Sequence, residues 1–213
     1  IGVMPRDGSV EDIKWIEDDP CYVFHPMNAY TDGDKIIADM MQFEEAPLFP
    51  HADGSTPDPK KAEARLNRWE IDLSSNSGKI KKNYLDEDIG EFPRLDERFS
   101  MLNYRHGFYA SSIGDHPPGM GFNSITHQDH QTQKKEFFVL KNKGDAVGEP
   151  IFVPSSKDSE EGDGYLIALA YRGNENRSDL IIFNAMDVTS GPIATAHLPH
   201  RIPYGFHGNW RQG

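Results

Sequence analysis

Trp69-Glu70-Ile71-Asp72-Leu73-Ser74 alternates apolar and polar residues up to an aspartate and then breaks into a serine-containing turn. A period of two is the mark of a strand with one buried face. The same ending recurs in Ile125-Thr126-His127-Gln128-Asp129-His130-Gln131-Thr132 and in Phe183-Asn184-Ala185-Met186-Asp187-Val188-Thr189. Asp72, Asp129 and Asp187 are separated by 57 and 58 residues. An aspartate beside Ser or Thr accepts the backbone N–H groups of a turn, so the recurrence has a physical cause. A repeat of this length corresponds to one four-stranded propeller blade with long loops. About three such blades fit in 213 residues, whereas a closed propeller needs at least about four. The spacing therefore predicts an all-β chain and an incomplete propeller.

Outward from that stretch, short β runs alternate with turn signals. Cys21 to Tyr30 reads as a strand, Thr31-Asp32-Gly33-Asp34 as a turn centred on Asp-Gly, and Lys35 to Phe43 as the returning strand. Glu44 to Lys61, rich in Pro, Asp and Gly, reads as a loop. Ala64 to Leu73, a turn at Ser74-Ser75-Asn76-Ser77-Gly78 and Lys79 to Leu85 make a hairpin.

Composition narrows the function classes. Apolar residues make up 37% and charged residues 26%, a globular balance. The net charge of −12 argues against nucleic acid as a partner, because an acidic surface repels phosphate. The basic clusters Lys60-Lys61, Lys79-Ile80-Lys81-Lys82 and Lys134-Lys135 read as solvated strand ends. No apolar run reaches the ~20 residues of a membrane helix. Ile1-Gly2-Val3-Met4-Pro5-Arg6 lacks the apolar core of a signal peptide, and the absent initiator Met suggests missing upstream residues. The single cysteine, Cys21, reads as a packed thiol, and a chain without disulfides fits the cytoplasm.

The chain has nine histidines and no compact metal motif, no nucleophile elbow and no phosphate loop. Any metal must be held by ligands scattered along the chain, as inner propeller strands allow. Two histidines stand out by context. His25 lies in Phe24-His25-Pro26-Met27-Asn28-Ala29-Tyr30, and His207 in Pro203-Tyr204-Gly205-Phe206-His207-Gly208-Asn209-Trp210. An imidazole among aromatics is poorly hydrated and stays neutral, the form that binds a metal. Each, taken alone, is more often an ordinary packed histidine than a ligand. His51, His116, His127 and His130 are expected in solvated loops or turns. His106 is expected to be structural, and His197 or His200 to face a cavity.

Four segments together resemble the carotenoid cleavage oxygenases, a family that includes the lignostilbene dioxygenases. They are Phe24-His25-x-x-Asn28-Ala29-Tyr30 with Asp32-Gly33; Gly90-Glu91-Phe92-Pro93-Arg94-Leu95-Asp96 with Tyr104-Arg105; Gly148-Glu149-Pro150-Ile151-Phe152-Val153-Pro154 with Glu160-Glu161-Gly162-Asp163-Gly164-Tyr165; and Leu198-Pro199-x-Arg201-Ile202-Pro203-Tyr204-Gly205-Phe206-His207-Gly208. The resemblance implies a seven-bladed β-propeller, with residues 1–213 as the C-terminal part of that single domain, roughly three blades. It implies four axial histidines around one Fe(2+), with His25 as the third ligand in chain order and His207 as the fourth. Glu91 would accept a bond from the outer nitrogen of His25, and Glu149 from that of His207. Thr31 stands where the family often has an acid. The first two ligands and a third acid would lie upstream, so this chain alone should bind iron poorly and should not turn over.

The implied reaction is cleavage of a carbon–carbon double bond by O2 to two carbonyl products. The lignostilbene branch is preferred, with an apolar or phenolic alkene as substrate. Phe108, Tyr109, Tyr204 and Phe206 are candidate lining for its tunnel, although core packing accounts for them equally. An apocarotenoid cleaver, an isomerohydrolase that consumes no O2 and a non-catalytic binding propeller are the alternatives.

Overall fold

A computed structural model describes residues 1–74, 80–116 and 121–211. Its strands are β1 (Gly2–Val3), β2 (Lys14–Trp15), β3 (Tyr22–Asp32), β4 (Lys35–Phe43), β5 (Arg65–Asp72), β6 (Ile80–Tyr84), β7 (Ile89–Leu95), β8 (His106–Ser112), β9 (Ser124–Asp129), β10 (Lys134–Val139), β11 (Ala146–Val147), β12 (Ile151–Pro154), β13 (Gly164–Arg172), β14 (Arg177–Asn184) and β15 (Ala194–His197). β1 and β2 form a small ribbon. The remainder forms three antiparallel sheets that follow chain order: β3-β4-β5-β6, then β7-β8-β9-β10, then β11 and β12 both on β13, followed by β14 and β15. Each is one blade, and the first strands of the three blades are neighbours, β3 against β7 and β7 against β12. Among the described residues no helix is long and apolar enough to cross a membrane.

The spaced aspartates occupy one position in each blade, at or just beyond the end of the third strand. Asp72 accepts from the Ser74 N–H at 2.9 Å and the Ser74 hydroxyl at 2.7 Å. Asp129 accepts from the N–H groups of Gln131 at 2.9 Å and Thr132 at 3.0 Å. Asp187 accepts from the Ser190 hydroxyl at 2.7 Å, but there the strand has already ended at Asn184 and the aspartate caps a short 3-10 turn, Val188–Ser190. The expected β4 is observed with its bounds unchanged, and β3 runs two residues further than expected, to Asp32, so that the tight turn is Gly33-Asp34 with Gly33 at φ 58°. The turn expected over residues 74–78 lies, beyond Ser74, outside the described residues.

Two apolar cores hold the blades together. Met27, Met41, Leu66, Leu95, Tyr104 and Tyr109 pack between the first and second blades. Phe108, Ile125, Phe152, Leu166, Ile181 and Phe183 pack between the second and third. The middle blade is covered on both faces, so β9 is buried at every residue and β8 at all but its last. Adjacent residues Phe108 and Tyr109 point to opposite cores, as strand geometry requires. This double cover corrects two expectations. His127 lies within β9 and is 3% exposed, and His130 directly follows it at 7%; neither is in a solvated loop. Lys135 is likewise no free strand end, because its ammonium bridges Asp86 and Asp88. Cys21 is half-buried and unpaired, and burial pushes its thiol up, away from nucleophilic use.

Candidate metal centre on the inner strands

Each blade's first strand breaks its ladder where a site residue stands. In β3 the register shifts between Val23 and Pro26, and His25 lies in that interval. In β7 it shifts between Glu91 and Arg94, with Phe92 at φ 56° and Pro93 in the gap. In the third blade the first strand is interrupted outright, and Glu149-Pro150 fills the space between β11 and β12. A proline brings no N–H for the ladder, and a bulge re-aims the neighbouring side chain. His25-Pro26, Glu91-Phe92-Pro93 and Glu149-Pro150 are three uses of that device. The fourth site residue, His207, lies in no strand; it sits on the segment beyond β15.

The two imidazoles, 182 residues apart in sequence, meet with their Nε2 atoms 3.1 Å apart. Their rings are nearly perpendicular, at 77°, with centroids 4.7 Å apart. Behind His25, Nδ1 is 2.6 Å from Glu91 Oε2. Behind His207, Nδ1 is 3.2 Å from Glu149 Oε1. The Phe92 N–H donates to Glu91 Oε2, and the Gly208 N–H donates to Glu149 Oε2 at 2.9 Å. Burial pushes the Glu91 carboxyl up, while the Phe92 N–H and the His25 ring pull it back. Gly208 can be nothing larger without a shift, because a Cβ there would stand 2.7 Å from Ile151 Cδ1. Phe92 faces both rings, its centroid 5.6 Å from that of His25 and 5.9 Å from that of His207.

This donor set fits a metal. A carboxylate accepts, so each Nδ1 carries the proton and each Nε2 presents a lone pair. Two lone pairs facing each other at 3.1 Å repel unless a cation lies between them. Metal–nitrogen bonds of about 2.1 Å meeting at a right angle put two nitrogens about 3 Å apart, if iron resembles zinc here. Among the described residues no third His, Cys, Asp or Glu joins the pair in a metal-holding group.

The other expected site residues divide. Tyr204 and Phe206 lie largely exposed beside His207 and border an apolar cavity with Ile151, Ile167 and Leu169. Phe108 and Tyr109 border no opening; both are fully buried in the two cores, and the Tyr109 hydroxyl donates to Asp86. His197 and His200 both lie exposed, and His197 bonds Asp179 at 2.9 Å. His106 is structural, its Nδ1 3.0 Å from His127 Nε2. Sequence reasoning left Asn28 and Phe92 without roles. Asn28 clamps the loop that follows β7, donating to Phe99 O and Leu102 O and accepting from the Met101 N–H. The signal for Phe92 was its place before a proline and after a buried acid.

Three blades in chain order, with His25, Glu91 and Glu149 at breaks in their first strands, define a β-propeller protein with its candidate site where those strands meet. The chain belongs to the family described as retinal pigment epithelial membrane protein, whose model matches residues 1–212. It is 37% identical over 219 residues to isoeugenol monooxygenase of Pseudomonas putida, covering 99% of this chain and 46% of that protein. It is 38% identical over 225 residues to lignostilbene-alpha,beta-dioxygenase isozyme III of Sphingomonas paucimobilis, again 99% and 46%. Among solved structures, Pseudomonas brassicacearum lignostilbene dioxygenase superposes with a TM-score of 0.92 at 33% identity, covering 100% of this chain and 46% of that one. Cobalt-substituted Synechocystis ACO superposes at 0.86 and 30%, covering 100% and 43%. The chain thus spans less than half the length of these relatives.

Proposed function

We propose that this chain is the C-terminal part of a non-haem Fe(II) dioxygenase that splits the double bond of a stilbene-type phenol with O2, giving two aldehydes. The observation that carries the reading is the convergence of two Nε2 atoms 3.1 Å apart, each imidazole backed by a carboxylate. His25 and His207 would hold the metal together with donors from the rest of the propeller. Fe(II), when bound, supplies O2 activation beside the alkene. Glu91 and Glu149 keep the proton on each Nδ1, which fixes ring orientation and raises the basicity of Nε2. Phe92, packed against both rings, covers one side of the pair.

The reaction balances without a further reductant, since one C=C bond and one O2 become two C=O groups. A phenolic alkene is favoured because relatives named for isoeugenol and lignostilbene are 37% and 38% identical, against 32% for a carotenoid cleavage oxygenase of Mycobacterium tuberculosis. The test uses the full-length protein with iron, a 4-hydroxystilbene and an apocarotenal, following O2 uptake and products. One O2 consumed per stilbene, with two aldehydes formed, is expected. Preferred cleavage of the apocarotenal would overturn the substrate, and turnover without O2 would overturn the reaction.

A further inference from the structure

His207 has no strand to hold it, so something else must fix its position. We propose that Arg94 is the positioning residue that docks the His207 segment onto the middle blade. This rests on the metal reading above and assigns a role to a residue that touches neither imidazole.

Arg94 lies on β7, three residues after Glu91. In a regular strand, residues three apart face opposite sides. The bulge at Phe92-Pro93 cancels that alternation, so Glu91 reaches His25 while Arg94 reaches the His207 segment. One guanidinium nitrogen, Nη1, donates to Gly208 O at 3.2 Å and stands 3.4 Å from Glu149 Oε1. The other, Nη2, donates to Glu97 Oε1 at 2.5 Å and to Asn209 Oδ1 at 3.4 Å. Arg94 thus grips the two residues after His207 and the carboxylate behind it. Glu149 in turn accepts from the His207 ring and the Gly208 N–H. A planar guanidinium presents two nitrogens in a fixed fork, so Nη1 and Nη2 serve acceptors on separate segments in one rigid geometry; an ammonium must reach them all from a single nitrogen on a flexible stem. Glu97 anchors the far side of the fork and leaves Nη1 for the other two.

Releasing this grip frees the segment that carries one ligand while leaving His25, Glu91 and the blade cores untouched. The test is made on full-length R94Q and R94K, with folding checked by thermal melting. Two quantities are read: loss of metal to a chelator, and chymotrypsin cleavage after Phe206 or Trp210 in metal-free protein. R94Q should lose metal on the order of 10-fold faster than wild type, the scale of effects seen for groups behind metal ligands. It should also shift the ligand-field spectrum of cobalt-loaded protein and be cut faster at the segment, with R94K intermediate in all three. Unchanged metal loss and cleavage in R94Q would overturn the assignment. Should R94Q not fold, R94K decides by the same readouts. A wild type that holds no metal would refute the metal reading alone, and the assignment would then stand or fall on cleavage of the metal-free segment.

Discussion

Two groups of histidines in this molecule differ both in burial and in what surrounds their nitrogens. At the inner strands, His25 and His207 are 27% and 51% exposed as side chains, and each turns one nitrogen to a carboxylate and the other to its partner ring. In the middle blade, His127 and His130 are almost fully buried, yet His127 Nδ1 and both ring nitrogens of His130 bond to no protein group. Burial drives those two rings down to about 4, with the His106 ring adding to the effect at His127. Burial alone therefore does not mark a ligand. What sets the proposed ligands apart is an acid behind the ring and a partner ring in front of it.

Substitutions should separate the groups. In full-length protein, His25→Ala or His207→Ala should abolish iron retention and O2 uptake with little change in melting temperature. His127→Ala should do the reverse, keeping metal while costing about 2–4 kcal/mol of stability, as large-to-small core changes do. Metal analysis paired with thermal melting reads both, and a shared phenotype would erase the distinction.

Acid sharpens the contrast. An unfolded histidine takes up its proton near pH 6.5, whereas folded His127 and His130 resist it until about 4. Between those values the unfolded state binds more protons, so stability falls as pH falls and is fully present above 6.5. Each ring should cost on the order of 2 kcal/mol between pH 7.5 and 5. Denaturant titrations across that range check this, and a flat profile would contradict it.

Smaller effects follow at the acids. Glu91→Gln and Glu149→Gln should each weaken metal binding on the order of 10-fold. The larger loss is expected at Glu91, whose contact is 2.6 Å against 3.2 Å. Competition with a chelator of known affinity ranks them. Smallest of all, His130→Phe should leave stability at pH 7.5 within about 1 kcal/mol, because it removes polar atoms that have no protein partner. The same variant should flatten the acid limb.

Much of the blade architecture was legible, because strands with one covered face keep their period of two. β5 alternates as a half-buried strand should from the buried Asn67 onward, and the aspartate turns repeat for a hydrogen-bonding reason. The middle blade was not legible in the same way. Gly107-Phe108-Tyr109-Ala110 and Ile125-Thr126-His127-Gln128 are covered on both faces, so polarity no longer reports exposure. That is why the sequence reads His127 and His130 as solvated, and cannot separate tunnel lining from core for Phe108 and Tyr109. His25 and His207 stand out by their aromatic context, and their roles, with Glu91 and Glu149 behind them, come from family resemblance; periodicity marks none of the four, since each stands where a strand is broken or absent. Arg94 stands in the second motif without a role, because the bulge that turns it toward the His207 segment leaves no trace in alternation.

The most direct test is anomalous diffraction at the iron edge from crystals of the iron-loaded full-length protein. A single peak within bonding distance of Nε2 of both His25 and His207 is expected, with Glu91 and Glu149 still on the Nδ1 atoms. Iron bound elsewhere, or by only one of the two rings, would contradict a shared metal between them.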